Sequence, residues 1–188
     1  MATTQPIRSK GQIRELAGYY MRKGQMRNYV LVTLGIETAL RISDLLSLKW
    51  DDVYDFERGQ PRKHLHLTEK KTKKSKCVAL SNSVKSALSL LTAVRGGAII
   101  ANFRTGKAIS RIQAYRIIRA ACEALKFTVR VSCHSLRKTF GYHAWKNGAP
   151  VAIIMEIYNH DSFATTRRYL GVTQDEKDLL HLTIELMA

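Results

Sequence analysis

Between residues 52 and 80 the apolar positions recur every second residue, whereas on either side of that block they recur every three or four. The block holds Val53, Tyr54 and Phe56, then Leu65 and Leu67, then Cys77, Val78 and Leu80. Turn-forming residues separate the three groups: Arg58, Gly59, Gln60 and Pro61 first, then a polar run at 71–75. A period of two marks half-buried antiparallel strands, and Gly, Pro and polar clusters mark the turns that join them. The pattern predicts a three-stranded antiparallel sheet set inside an otherwise helical chain, an α+β fold that is mainly helical.

The flanking periodicity predicts the helices. Ser9 followed by Gln12 caps a helix over 11–23 that Gly24 closes, and a second runs over 26–38 with Tyr29, Val30, Leu34 and Ile36 inward. Ile42, Leu45, Leu46 and Leu48 keep helical spacing, which puts Arg41 and Asp44 together on the opposite side. Ser81 or Asn82 caps a helix reaching 94, Gly96 and Gly97 break it, and 98–103 is a short apolar run of no assigned type. Ser110 caps a helix over 111–126, and a short extended piece at 127–131 leads to the next one. That helix carries His134 and Arg137 near its start and ends at Gly148 and Pro150; a short helix over 151–158 follows, then His160, then Tyr169. Residues 1–10 are polar and patternless, a disordered start or linker remnant; 11–174 form one domain. Residues 175–188, with Leu179, Leu180, Leu182, Ile184 and Leu186, form an amphipathic helix able to pack on its own domain or on a neighbouring copy.

A chain of 188 residues can bury roughly 70% of the surface it exposes unfolded, so it needs no staple. Its 31 Lys and Arg against 15 acidic residues give a net charge of +16, which favours a polyanion, nucleic acid first. Cys77, Cys122 and Cys133 are odd in number and lack CxxC spacing, which fits neither a disulfide framework nor a cysteine zinc site. There is no run of 18 apolar residues and no signal-type leader, so a cytoplasmic protein is expected. Walker, Rossmann and HExxH patterns are absent, and His64 and His66 share a strand face with no third ligand in view, so no metal or nucleotide cofactor is expected.

Chemistry concentrates in 133–171, CHSLRKTFGYHAWKNGAPVAIIMEIYNHDSFATTRRYLG. His134 and Arg137 leave one helix face near its N-terminus, where anions bind. Tyr169 alone is a weak nucleophile. Taken with ALRISDLLSL and the lysine turn KKTKKSKCVAL upstream, however, the stretch resembles the tyrosine recombinase (phage integrase) family across almost the whole chain. The matching positions are Arg41, Lys71, His134, Arg137, His160 and Tyr169, and with the resemblance Asp44 is placed to orient Arg41, whereas on the residues alone that pair reads first as a surface ion pair. The resemblance implies the recombinase catalytic fold and a transesterification: Tyr169 attacks a phosphodiester, a 3′-phosphotyrosyl bond forms, and a 5′-hydroxyl later reverses it without cofactor. It also implies double-stranded DNA as partner, assembly as a tetramer on paired sites, and a bacterial, phage or mobile-element origin. Lys70, Lys73, Lys74 and Lys76 on the turn, and Arg111, Arg116 and Arg119 on a helix, are expected to contact DNA, with solvated charge as the alternative.

Three departures from the family pattern stand out: Asn159 for glycine, Lys138 for histidine and Ala79 for proline. The helical core-binding domain that usually precedes this region is not evident, which leaves the catalytic part of a longer protein or a short stand-alone recombinase. Two other functions share these features: a DNA-binding structural or regulatory protein on the same fold, and a type IB topoisomerase-like relaxing enzyme.

Overall fold

The computed structural model describes residues 4–184. Its elements, in order, are α1 (Lys10–Arg22), α2 (Met26–Glu37), α3 (Ile42–Leu45), α4 (Trp50–Val53), β1 (Tyr54–Asp55), β2 (Gln60–Pro61), β3 (His64–Thr68), β4 (Ser75–Ala79), α5 (Asn82–Leu88), α6 (Arg111–Ala124), α7 (Cys133–Lys146), α8 (Val151–Tyr158), α9 (Phe163–Leu170) and α10 (Gln174–Thr183). Among the described residues no helix is long and apolar enough to cross a membrane.

The mainly helical α+β class holds, but the strands pair differently from the expectation. Two separate two-stranded ladders replace one three-stranded sheet, β1 with β2 and β3 with β4. Two local features isolate the first ladder. Asp55 Oδ1 accepts from the amides of Glu57 and Arg58, each at 3.1 Å, folding the chain back after two strand residues. Pro61 ends β2 without an N–H to extend a ladder. Residues 52 and 53 belong to the helical turn α4 instead of a strand because Asp52 Oδ2 accepts from the Lys49 amide at 2.8 Å. Helix α5 stops at Leu88, short of 94, where the Ser89 hydroxyl bonds back to the Lys85 carbonyl at 3.1 Å. The expected piece at 127–131 belongs to no strand.

Serine caps work where expected: Ser9, Ser81 and Ser110 each accept from the amide three residues on. Helix α2 is the central strut, its residues 30–36 all buried, and α1, α5 and α7 pack on it. Gly35 permits the α2–α7 contact, since a Cβ there would lie 2.6 Å from Leu136 Cδ1. A second, smaller cluster of Ala39, Ile154, Tyr158 and Leu170 joins α7, α8 and α9, with Phe140, Ala144 and Trp145 packed against it. Between the two clusters lies the cleft that holds the candidate site.

The polar start is not loose where it is described. Ile7 is fully buried and its amide donates to Thr139 Oγ1 at 2.9 Å. Arg8 donates to the Gly171 carbonyl at 2.6 Å, so residues 4–8 run along α7 to the end of α9. One apolar side chain and hydrogen bonds to Lys138, Thr139 and His143 of α7 order a segment whose pattern reads as disorder. At the other end Glu176 pairs with Lys146 at 3.0 Å and accepts from Tyr142 at 3.2 Å, tying the start of α10 to its own α7. Leu182 and Ile184 are exposed, and Leu186 lies outside the described residues.

Gly141 is the tightest contact beneath the site, because a Cβ there would stand 2.2 Å from the hydroxyl of fully buried Tyr158. Gly141→Ala should therefore cost about 1–3 kcal/mol through overpacking. For a chain of this size that lowers the melting temperature by about 3–10 °C. A calorimetric scan matching wild type would show that Tyr158 can move aside.

Candidate active site

Helix α7 presents its N-terminus to the cleft, opened by Ser132, whose side chain accepts from the His134 amide at 3.2 Å. One turn in, Arg137 is 1% exposed. Its guanidinium donates to the Ala39 carbonyl and, at 2.8 Å, to the Tyr158 carbonyl, and its Nε is buried without a hydrogen-bond partner. Tyr158 closes the loop, its hydroxyl donating to the Arg137 carbonyl at 2.6 Å and its ring lying 4.6 Å from the guanidinium. Ala39 reaches this position with a left-handed backbone, φ 52°.

Tyr169 sits on the inner side of α9 between two imidazoles. Its ring lies 4.8 Å from His134 and 4.6 Å from His160, both edge to face. Helix α9 is capped by Ser162, whose side chain accepts from the Thr165 amide at 3.2 Å, and Thr166 holds His160 through Nδ1 at 3.0 Å. A cleft of about 360 Å³ is lined by Arg41, Lys71, Cys133, His134, Arg137 and Tyr169 among others. Five of the six expected residues thus share one cleft, and His160 joins them through Tyr169.

The expected Asp44–Arg41 pair is not formed. Asp44 is buried, its Oδ1 accepting from the Lys70 amide at 3.0 Å and its Oδ2 left without a partner. Arg41 pairs instead with Glu69, Nη1 to Oε2 at 2.6 Å. At the N-cap of α3, ahead of a helix only four residues long, Arg41 cannot fold back along a helix face onto Asp44. Glu69 was hidden inside a lysine run, yet alternation reveals it: Leu65, Leu67 and Glu69 occupy one face of β3 and its extension. The same parity governs Lys76, which lies opposite Leu67 and donates to the Ile157 carbonyl at 2.6 Å. Lys76 is therefore turned under the site and not out toward solvent. Lys70, Lys71, Lys73 and Lys74 are exposed on the turn, Lys74 within 3.2 Å of Asp161. Arg111 and Arg116 are exposed on α6, and Arg119 pairs with Glu123 at 2.7 Å. His64 and His66 share an exposed face, ring centroids 6.4 Å apart, and among the described residues no group of three metal-ligating side chains forms.

The cations set the protonation of their neighbours. Burial, then the charges of Arg137 and Arg41, pushes His160 down to about 4. Burial of the ring, then Lys138, Arg137 and Arg41, pushes His134 down to about 4 as well, a shift that solvent at its open edge weakens. Burial and Arg137 lower the Lys76 amine to about 8. Glu69 runs the other way: burial alone would raise it, but hydrogen bonds from Thr72 and Asn159, with Arg41, bring it down to about 2.

Residues 9–176 match the Phage integrase family, and the chain belongs to that family. It is 40% identical over 177 residues to YoeC of Bacillus subtilis (strain 168), described as a probable integrase/recombinase, covering 93% of each chain. It is 31% identical over 159 residues to the tyrosine recombinase XerD of Mycobacterium tuberculosis (strain ATCC 25618 / H37Rv), covering 79% of this chain and 49% of that one. The chain thus spans nearly all of the first relative and about half of the second. Its fold is that of XerA recombinase, with a TM-score of 0.76 at 20% identity over 97% of this chain and 64% of that one. A lambda integrase dimer bound to a core site superposes with a TM-score of 0.72 at 17% identity, over 99% of this chain and 52% of that one. The fold and family are those of a tyrosine recombinase catalytic domain.

Protonation links the site to stability. His160 and His134 bind protons more readily unfolded than folded, so their contribution is complete above pH 6.5 and is lost as pH falls toward 4. The Glu69 contribution is complete above pH 4.5 and is lost on approach to 2. Urea midpoints should fall steadily from pH 6.5 to 4, and His160→Gln should flatten that slope. An unchanged slope in the variant would remove His160 from the linkage.

Proposed function

We propose that this chain is a site-specific DNA recombinase that cleaves and rejoins strands through a phosphotyrosyl bond on Tyr169. The observation that carries it is the position of Tyr169 between His134 and His160, beside a cleft lined by Arg41, Arg137 and Lys71. Close homology to a protein described as an integrase/recombinase supports the same reading.

In the proposed step the phenolic oxygen of Tyr169 attacks phosphorus, the bond from phosphorus to the 5′-oxygen breaks, and a 3′-phosphotyrosyl ester remains. His134, neutral near pH 7, accepts the phenol proton, and Lys71 donates one to the departing 5′-oxygen. Arg41 and Arg137 balance the negative charge on the non-bridging oxygens. His160 adds a donor: when Nδ1 accepts from Thr166, the ring proton resides on Nε2. A 5′-hydroxyl from another strand reverses the step, so the phosphodiester energy is conserved and no cofactor enters.

DNA docks on the face formed by the lysine turn and α6, through Lys70, Lys73, Lys74, Arg111, Arg116 and Arg119. Assembly on paired sites is tetrameric, with exposed Leu182 of α10 and Ile184 just beyond it reaching a neighbouring copy. The protein acts in the cytoplasm, where its DNA lies.

On a nicked suicide substrate the wild type should accumulate a detergent-stable covalent adduct. Tyr169→Phe should bind normally and form none, whereas Arg41→Ala and Arg137→Ala should each lose about 3 kcal/mol of transition-state stabilisation, roughly a hundredfold in rate. A 5′-bridging sulfur should rescue Lys71→Ala, since that leaving group needs little protonation. An adduct that persists in Tyr169→Phe, or maps to Tyr158, would overturn the assignment.

Binding itself should be salt-dependent. If about six phosphates are neutralised, log affinity should fall against log salt with a slope near −5. A flat titration would defeat the DNA reading.

A further inference from the structure

We propose that Glu69 is a positioning residue whose single carboxylate holds Arg41, the Lys71 turn and the His160 turn in one arrangement, an inference that rests on the recombinase reading. Three segments far apart in the chain meet on its Oε2. Arg41 at the start of α3 lies 2.6 Å away, Thr72 Oγ1 donates at 2.6 Å, and Asn159 Nδ2 donates at 2.9 Å. Thr72 follows Lys71 and Asn159 precedes His160, so each donor is one peptide from a residue of the proposed machinery. The main chain of Glu69 closes the lysine turn as well, its amide donating to the Lys74 carbonyl at 3.0 Å and its carbonyl accepting from Lys73 at 2.9 Å.

Burial is what makes this arrangement directive. Glu69 is 0% exposed and its Oε1 is buried without a hydrogen-bond partner, so the carboxylate depends on the donors around Oε2 for its solvation. A buried anion of this kind fixes the donors it needs, because releasing any one leaves charge uncompensated in a low dielectric. Asn159 shows the coupling most clearly. It ends α8 in the left-handed region, φ 51° and ψ 47°, a conformation that glycine adopts with less strain. Glycine there would keep the turn and leave Glu69 without that donor.

Displacing a catalytic group by about 1 Å can cost about a hundredfold in rate. The two hydrogen-bonding arms predict different signatures, because only the Thr72 arm carries the residue that protonates the leaving group. Single-turnover cleavage by the full chain would be measured on suicide substrates with a 5′-oxygen or a 5′-bridging sulfur, for wild type, Thr72→Val, Asn159→Gly and Glu69→Gln. DNA affinity and melting temperature would be read in parallel. With the oxygen substrate, Thr72→Val and Asn159→Gly should each slow cleavage about tenfold and Glu69→Gln about a hundredfold, while affinity stays within about threefold of wild type. Sulfur should restore Thr72→Val, leave Asn159→Gly slow and restore Glu69→Gln in part.

Wild-type cleavage by folded Thr72→Val and Asn159→Gly, or one sulfur response shared by all variants, would overturn the assignment. Should Glu69→Gln fail to fold, the two arm variants decide the matter by themselves. A wild-type chain that forms no adduct defeats the recombinase reading, a result distinct from variants that match an active wild type.

Discussion

The site depends on a guanidinium held almost entirely out of water. An unpaired charge at that depth costs several kcal/mol, so Arg137 is tolerable only where the fold brings it fixed acceptors. It finds them in two main-chain carbonyls, one 98 residues away at Ala39 and one 21 residues away at Tyr158. The first requires Ala39 to adopt a left-handed backbone, a conformation that costs of order 1–3 kcal/mol for such residues. Strain at Ala39 and burial at Arg137 thus stabilise one another. Together they join the end of α2, the second turn of α7 and the end of α8, and so bring together the chain just before Arg41, the helix that carries His134 and the chain just before His160.

Much of this was legible because the relevant signals are local. Serine caps and helical periodicity place α1, α2, α6 and α7 nearly to the residue, and they put His134 and Arg137 on one face. What was not legible depends on pairing across the chain. Nothing near Pro61 says whether β2 will join β3 or turn away from it, so three groups of alternating residues read as one sheet. Arg41 had an acid three positions along, and local spacing selected it, while the acid it meets lies 28 residues downstream in a lysine run. Extending the alternation of β3 one step to Glu69, and of β4 one step back to Lys76, would have turned both inward. Charge composition masked them, because a run of lysines reads as uniformly solvated.

Burial first, and the charge balance after it, keeps the histidines neutral. Arg41, Arg137, Lys76 and Lys138 surround the cleft, while Glu69 and Asp44 are the acids buried among them. Both carboxylates are engaged with the lysine turn, one through Thr72 and one through the Lys70 amide. Burial, with this excess positive charge behind it, brings both His134 and His160 down to about 4, so both are neutral near pH 7. In the proposed reaction a phosphodiester between the arginines would counter the charge part of this pressure and raise both imidazoles, His134 as the acceptor of the phenol proton among them.

Tyr169 is held from both ends of its short helix, and the braces come from different parts of the chain. At the front, Thr166 fixes His160 against the ring. At the back, Gly171 takes a left-handed conformation, and its carbonyl receives Arg8 from the N-terminal segment. The same segment offers the Thr4 carbonyl to Lys138, whose ammonium stands 5.6 Å from the Tyr169 ring. Arg167 and Arg168 on the same helix are exposed, and no tight packing holds that outer side. Tyr169 is thus held by ring packing against His134, Tyr158 and His160 as well as by these hydrogen bonds. Residues 4–8, which precede the stretch matched to the family, supply two of these hydrogen bonds, one at the end of α9 and one through Lys138 beside the Tyr169 ring.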